Sequence, residues 1–156
     1  MIRKFKESDL QRIMQIWLSA NKEAHGFIKE SYWDENFEAV KAALPCAEIY
    51  VHENAEAEPD GFIGLNGEHI EGLFVDKTAR NMGIGKELLD FAKNNHARLT
   101  LNVYIKNSGA VKFYRRELFS IDSRGIDEET GEVDSVLSEL KQTYIDDFVK
   151  YKAKVN

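Results

Sequence analysis

The stretch around Gly83 constrains the fold more than any other. Leu73, Phe74 and Val75 end an apolar, strand-like run at Asp76, and a polar turn containing Arg80 follows. Gly83, Ile84 and Gly85 then lead into Leu88, Leu89, Phe91 and Ala92 at helical spacing. Glycines at a helix start let the backbone approach a ligand, and the first N–H groups of a helix have no acceptor within it. With the helix dipole they make an anion site suited to phosphate, to which Arg80 and Lys86 add charge. Two common phosphate loops are excluded by the letters. A P-loop needs glycine where Arg80 stands and Ser or Thr where Glu87 stands. A dinucleotide fingerprint needs a third glycine where Leu88 stands. A bare Gly-x-Gly is also compatible with a plain tight turn into a helix.

The rest of the chain supplies elements on both sides of this loop. Residues 2–6 alternate as a short strand, and Ser8-Asp9 offers an N-cap before Leu10, Ile13, Met14, Trp17 and Leu18. Gly26 interrupts, and a second helix is predicted over 31–44, stopped by Pro45. Strands are predicted at 48–53 and 61–66, across a polar loop at 54–60. Asn66-Gly67 signals a hairpin into a strand at 69–76. Beyond the glycine-loop helix come a near-continuously apolar strand at 98–104 and a short helix at 108–116. Two further strands are predicted at 119–126 and 132–140, joined by the turn at 127–131. Residues 142–154 are amphipathic and read as a C-terminal helix or tail. The order is β-α-α-β-β-β-α-β-α-β-β, a mixed α+β domain over 1–140 followed by the segment 141–156.

Composition narrows the class of protein. With 156 residues, 43% of them hydrophobic, the chain can close one sizeable core. It has no apolar run approaching the ~18 residues of a membrane span, and its opening lacks a signal peptide's apolar stretch, so a cytoplasmic protein is expected. One cysteine, Cys46, rules out an internal disulfide and a multi-cysteine zinc cluster, and the four histidines show no metal spacing. Net charge is −6, divided as −8 over residues 1–76, +7 over 77–116 and −5 over 117–156. The acidic total argues against nucleic acid as partner, and the basic middle suits a small polyanion or a solvated helical face.

The loop's surroundings carry a resemblance. Arg80-x-x-Gly83-x-Gly85 after Leu73-Phe74-Val75-Asp76 resembles motif A of the GNAT superfamily of acyl-CoA-dependent N-acyltransferases. Leu101-Asn102-Val103-Tyr104, then Asn107, Ala110 and Phe113-Tyr114, resemble the family's next strand and its Asn-x-x-Ala-x-x-Phe-Tyr helix. Ala24-His25-Gly26-Phe27-Ile28 and Leu44-Pro45 resemble a bacterial subgroup of these acetyltransferases. The resemblance runs from Ile2 to about Leu140. It implies a mixed, mostly antiparallel sheet of six to seven strands flanked by helices, with two central parallel strands splayed apart.

For particular residues the resemblance implies more. The diphosphate of acetyl-CoA would sit on the backbone of Arg80, Asn81, Met82, Gly83, Ile84, Gly85 and Lys86. The pantetheine arm would pair with Leu73, Phe74 and Val75, and Asn107 would lie near it or serve as a helix N-cap. Tyr114 matches the general acid, whose proton stabilises the leaving thiolate, although Phe-Tyr on a helix also reads as core packing. A general base is needed because an alkylamine of pKa ~10.4 is almost wholly protonated at neutral pH. Strict alternation would put His69, Glu71, Leu73 and Val75 on one face, making Glu71 the first candidate and His69 the second. Each also reads as a solvated or substrate-orienting group. His25, Phe27 and Ile28 fall where the family covers its substrate, and Trp17 and Trp33 read as core or cleft wall.

The chain also departs from the pattern. Leu118 replaces a glycine that commonly takes a left-handed conformation, so this turn must differ or carry strain. Asn81 and Met82 fill positions that often hold basic residues or glycine. The expectation is an acetyltransferase working by direct attack of a primary amine on acetyl-CoA, without metal. The acceptor is left open among a small molecule, a peptide N-terminus and a protein lysine. The rival is a non-catalytic acyl-CoA-binding sensor, and sheet edges leave room for a homodimer.

Overall fold

The computed structural model describes residues 1–140. Four helices and seven strands follow in chain order: β1 (Ile2–Lys4), α1 (Leu10–Ala24), α2 (Glu30–Ala43), β2 (Glu48–Glu53), β3 (Pro59–Asn66), β4 (His69–Val75), α3 (Ile84–Asn95), β5 (Thr100–Tyr104), α4 (Ser108–Arg116), β6 (Phe119–Ile126) and β7 (Val133–Glu139). The amphipathic segment expected at 142–154 lies outside the described residues. Asp9 does not cap α1 through its side chain. Its carboxylate accepts from the Lys6 N–H and from Arg3, which is also paired to Glu53.

The strands form one sheet in the order β1-β2-β3-β4-β5-β7-β6. Every neighbouring pair is antiparallel except β4 and β5. Both faces are covered. Leu88, Leu89 and Ala92 of α3 and Tyr114 of α4 pack with Ile63, Leu65, Ile70, Leu99 and Leu101. On the other face Ile13, Met14, Ile16 and Trp17 of α1 and Trp33 of α2 pack with Ile49, Val51 and Phe62. That double burial is why β3 reads as a continuous apolar run instead of alternating. No helix among the described residues is long and apolar enough to cross a membrane.

Two irregularities position the site. The parallel strands β4 and β5 pair only at His69↔Thr100 and Ile70↔Leu101, after which they part, as expected for splayed central strands. In β4, register with β3 passes from Leu65↔Ile70 to Gly64↔Gly72, leaving Glu71 as an extra, bulged residue. A one-residue bulge resets the alternation. Ile70, Leu73 and Val75 therefore lie toward α3 and α4, whereas Phe74 packs with the α1–α2 cluster. The expectation that His69, Glu71, Leu73 and Val75 share a face fails at this bulge: Glu71 lines cavities walled by Trp17 of α1.

Leu118 adopts the left-handed region, φ +70°, closing α4 with its N–H donating to the Arg115 carbonyl at 3.1 Å. The turn geometry is kept and the cost is strain, of about 1–2 kcal/mol for an L-residue. Leu118 is 45% exposed, so little packing offsets it. Leu118→Gly is expected to raise stability by about 0.5–1 kcal/mol, after the unfolded-state entropy of glycine is deducted. Thermal denaturation should show a Tm higher by about 1–3 °C; a fall in Tm would contradict the strain argument.

Candidate active site

At the end of β4, the Asp76 carboxylate accepts from the Thr78 N–H and hydroxyl, folding a 3-10 turn, Lys77–Ala79. Asn81 (φ +61°) and Gly83 (φ +82°) then turn the chain sharply into α3. Gly83 is the N-cap and provides no side-chain acceptor, so the N–H groups at the start of α3 remain free of any side-chain cap. They border a cavity of about 620 Å³ lined by Leu73, Phe74, Val75, Arg80, Asn81, Gly83, Ile84, Gly85, Lys86 and Asn107. Met82, 72% exposed, is not among its walls. Two of the lining cations are engaged: Arg80 pairs with Glu23 of α1 at 2.7 Å, and Lys86 with Asp90 at 2.9 Å and Glu117 at 3.3 Å. Arg116, whose guanidinium lies over the Phe113 ring, and the backbone amides are the remaining groups that can meet an anion here.

The cavity fits a long, flexible thioester carrying a diphosphate. A Cβ on Gly85 would stand 3.7 Å from the Phe113 ring and 3.9 Å from Val75, within the groove a ligand would use. Beyond Ile70, the β4 edge that faced β5 has lost its partner strand, leaving backbone groups that an amide-containing arm can pair with.

A second cavity, of about 310 Å³, lies toward α1 and α2. Trp17, Trp33 and Tyr104 form aromatic walls, and Glu71, Asp127 and Asp134 supply three carboxylates with no lysine or arginine among the lining residues. The two cavities share Asn21, His25, Leu73, Phe74, Asn107, Ala110 and Tyr114, so they meet where β4 and β5 part. Tyr114 is only 7% exposed, in edge contact with Phe113 and Phe119. Burial pushes its phenol pKa well up, which keeps the proton on oxygen at neutral pH.

Asn107 caps α4: its Oδ1 accepts from the Ala110 N–H at 3.3 Å. That leaves Nδ2 facing His25 Nε2, also at 3.3 Å. The network assigns the His25 proton to Nδ1, and desolvation lowers the His25 pKa, so the imidazole is neutral. The ring stacks on Trp33 with centroids 5.1 Å apart.

The remaining sequence candidates are spread out. Glu71 is exposed at the mouth of the second cavity. His69 bonds Thr100 Oγ1 at 2.7 Å and lines neither cavity. Phe27 stands behind the site, edge-on to His25 and Tyr104, and Ile28 is a core residue beside Trp17 and Trp33. Sequence reasoning missed Asp127, which it placed only in the turn at 127–131. Tyr104 donates to Asp127 Oδ2, which holds that carboxyl below the usual range, and Tyr32 donates to Glu129 at 2.8 Å. The β6–β7 turn is thereby drawn over the second cavity. Asn102 and Tyr104 were findable, because they alternate with the buried Leu101 and Val103; no local signal marked Asp127.

Comparison with known proteins is consistent with this geometry. A family model described as an acetyltransferase (GNAT) domain matches residues 45–119. The chain is 34% identical over 130 residues to peptidyl-lysine N-acetyltransferase YjaB of Salmonella typhimurium, covering 83% of this chain and 90% of that protein. It is 34% identical over 132 residues to peptidyl-lysine N-acetyltransferase YiaC of Escherichia coli, covering 83% and 90%. The solution structure of apo-form YjaB from Escherichia coli superposes with a TM-score of 0.81 at 29% identity, covering 90% of this chain and 97% of that one.

Proposed function

Because this chain belongs to the GNAT acetyltransferase family, we propose that it transfers the acetyl group of acetyl-CoA to lysine side chains of a protein or peptide, by direct attack within a ternary complex. One observation carries the reading. An anion-binding groove and an acidic, aromatic-walled cavity open from opposite sides onto the gap between β4 and β5. Acetyl-CoA supplies an acetyl group activated as a thioester. The backbone N–H groups of Ile84, Gly85 and Lys86 hold its diphosphate, and the freed edge of β4 orients its arm.

Glu71, Asp127 and Asp134 draw an ammonium into the acidic cavity, while Trp17, Trp33 and Tyr104 enclose its methylene chain. At neutral pH roughly one alkylamine in a few thousand is unprotonated. Glu71, solvent-connected at the cavity mouth, takes the ammonium proton through water. The free lone pair forms the carbon–nitrogen bond, the carbon–sulfur bond breaks, Tyr114 gives its proton to the departing sulfur, and the second proton lost by the amine nitrogen restores Tyr114 through water. The chain's one cysteine, Cys46, lines neither cavity, which favours direct attack over a covalent intermediate. The peptidyl-lysine activity for which YjaB and YiaC are named supports lysine as the acceptor.

The test is acetyl-CoA with three acceptors: a peptide with one internal lysine and a blocked N-terminus, a lysine-free peptide with a free N-terminus, and a polyamine. Mass spectrometry should show acetylation of the lysine peptide. Modification confined to either of the other two would overturn the acceptor assignment.

A further inference from the structure

A third cavity, of about 540 Å³, adjoins the site and has no part in the reading above. It lies between the end of α2 and the β3–β4 hairpin, and Glu71 is the only charged residue among its walls. Val40, Leu44, Ile49, Phe62 and Leu65 supply much of its apolar surface. Its space comes from small residues. Gly64 and Gly72 face each other across β3 and β4, and a Cβ on Gly64 would meet only Ile49, at 3.9 Å. The cavity shares Trp17, Glu71, Gly72 and Phe74 with the acidic one, and Phe74 borders all three cavities. The Phe74 ring lies over Gly72, close enough that a Cβ there would displace it, and is the side chain at which the three cavities meet.

Three cavities of different chemistry thus converge at one point. A reacting thioester carbon has four directions to satisfy, of which the oxygen ends in a single atom and three lead outward: its sulfur, its incoming nucleophile and its alkyl substituent. Sulfur arrives along the groove leading from α3, and the cationic acceptor suits the acidic lobe. Only a group bonded to the reacting carbon can begin at the junction and extend into the apolar lobe while the acceptor fills the other. We propose that this apolar lobe takes the acyl chain of the donor, so that the enzyme transfers medium-length straight-chain acyl groups as well as acetyl. The inference rests on the acyl-CoA reading of the preceding section. The bond changes are the same: an amide carbon–nitrogen bond forms, the thioester carbon–sulfur bond breaks, the base takes the amine proton, and coenzyme A leaves as the thiol. Each methylene moved from water onto these walls favours donor binding by about fourfold.

The experiment compares acetyl-, butyryl- and hexanoyl-CoA with one lysine peptide, in the full chain and in two variants that fill the lobe, Gly64→Leu from its floor and Cys46→Trp from its exposed rim. The wild type should use hexanoyl-CoA with kcat/KM within about tenfold of acetyl-CoA and a lower KM. Each variant should cut kcat/KM for hexanoyl-CoA about tenfold or more and leave acetyl-CoA within about twofold. A second readout needs no turnover: alkylation of Cys46 by N-ethylmaleimide, followed by mass spectrometry, should be slowed about fivefold by hexanoyl-CoA and not by acetyl-CoA. Rejection of hexanoyl-CoA by the wild type, equal effects on both donors, or equal protection of Cys46 would overturn the proposal; equal protection would point to another occupant of the lobe. If acetyl-CoA binds but is never turned over, the transfer reaction itself is wrong, and Cys46 protection still decides the lobe.

Discussion

Tyr114→Phe is expected to lower kcat for acetyl transfer by about a hundredfold or more, within the range a positioned general acid contributes. The ring is retained between Phe113 and Phe119, so Tm should stay within about 2 °C and the Kd for acetyl-CoA within about twofold. The size of the effect follows from positioning a proton donor at the departing sulfur, and burial bears only on its protonation state. A desolvated phenol whose pKa is pushed up holds its proton throughout the neutral range, so the acid is present in the form that donates. The alternative for a buried tyrosine at this position is packing alone. Packing predicts a loss of less than threefold, because phenylalanine fills the same space. Steady-state kinetics with a lysine peptide, read beside calorimetric affinity, separates the two; a small change in kcat would remove Tyr114 from the chemistry.

Gly85→Leu should weaken acetyl-CoA binding by about a hundredfold, equivalent to about 2.7 kcal/mol. A Cβ at this position enters the groove between Val75 and Phe113 at ordinary contact distances, so the free protein accommodates it and a ligand along the same path does not. The position lies in the first turn of α3, where leucine is a better helix former than glycine. The ligand-free variant should therefore melt at or above the wild-type temperature, while the rise in Tm on adding acetyl-CoA disappears. Titration calorimetry gives the affinity directly. A Kd within threefold of wild type would mean that the ligand does not pass over the start of α3.

Much of the architecture was readable from the chain because it depends on local periodicity. The amphipathic spacing of α1 and α3, the hairpin at Asn66-Gly67 and the apolar run of β5 each follow from neighbours a few residues apart. The glycine loop was legible for the same reason: strand, turn, glycines and helix lie within one short segment. Leu118 was legible only through the resemblance, whose pattern has glycine at this position; a side chain there implies strain, and the φ of +70° is that strain.

Other features depend on which strands are neighbours. Alternation along β4 assumes an unbroken pleat, and only pairing with β3 introduces the bulge that carries Glu71 to the face opposite Leu73 and Val75. Asp127 joins the site because the β6–β7 hairpin returns over β5, bringing it to Tyr104, 23 residues earlier in the chain. The apolar lobe exists because Gly64 and Gly72, unremarkable separately, face each other across two strands. The sequence by itself determined the elements and the glycine loop that opens α3, since backbone conformation answers to adjacent residues. The tertiary structure alone decided the acidic cavity, the base candidate's face and the third lobe. A cavity is the space left between side chains from separate elements, and its shape exists only once their register is set.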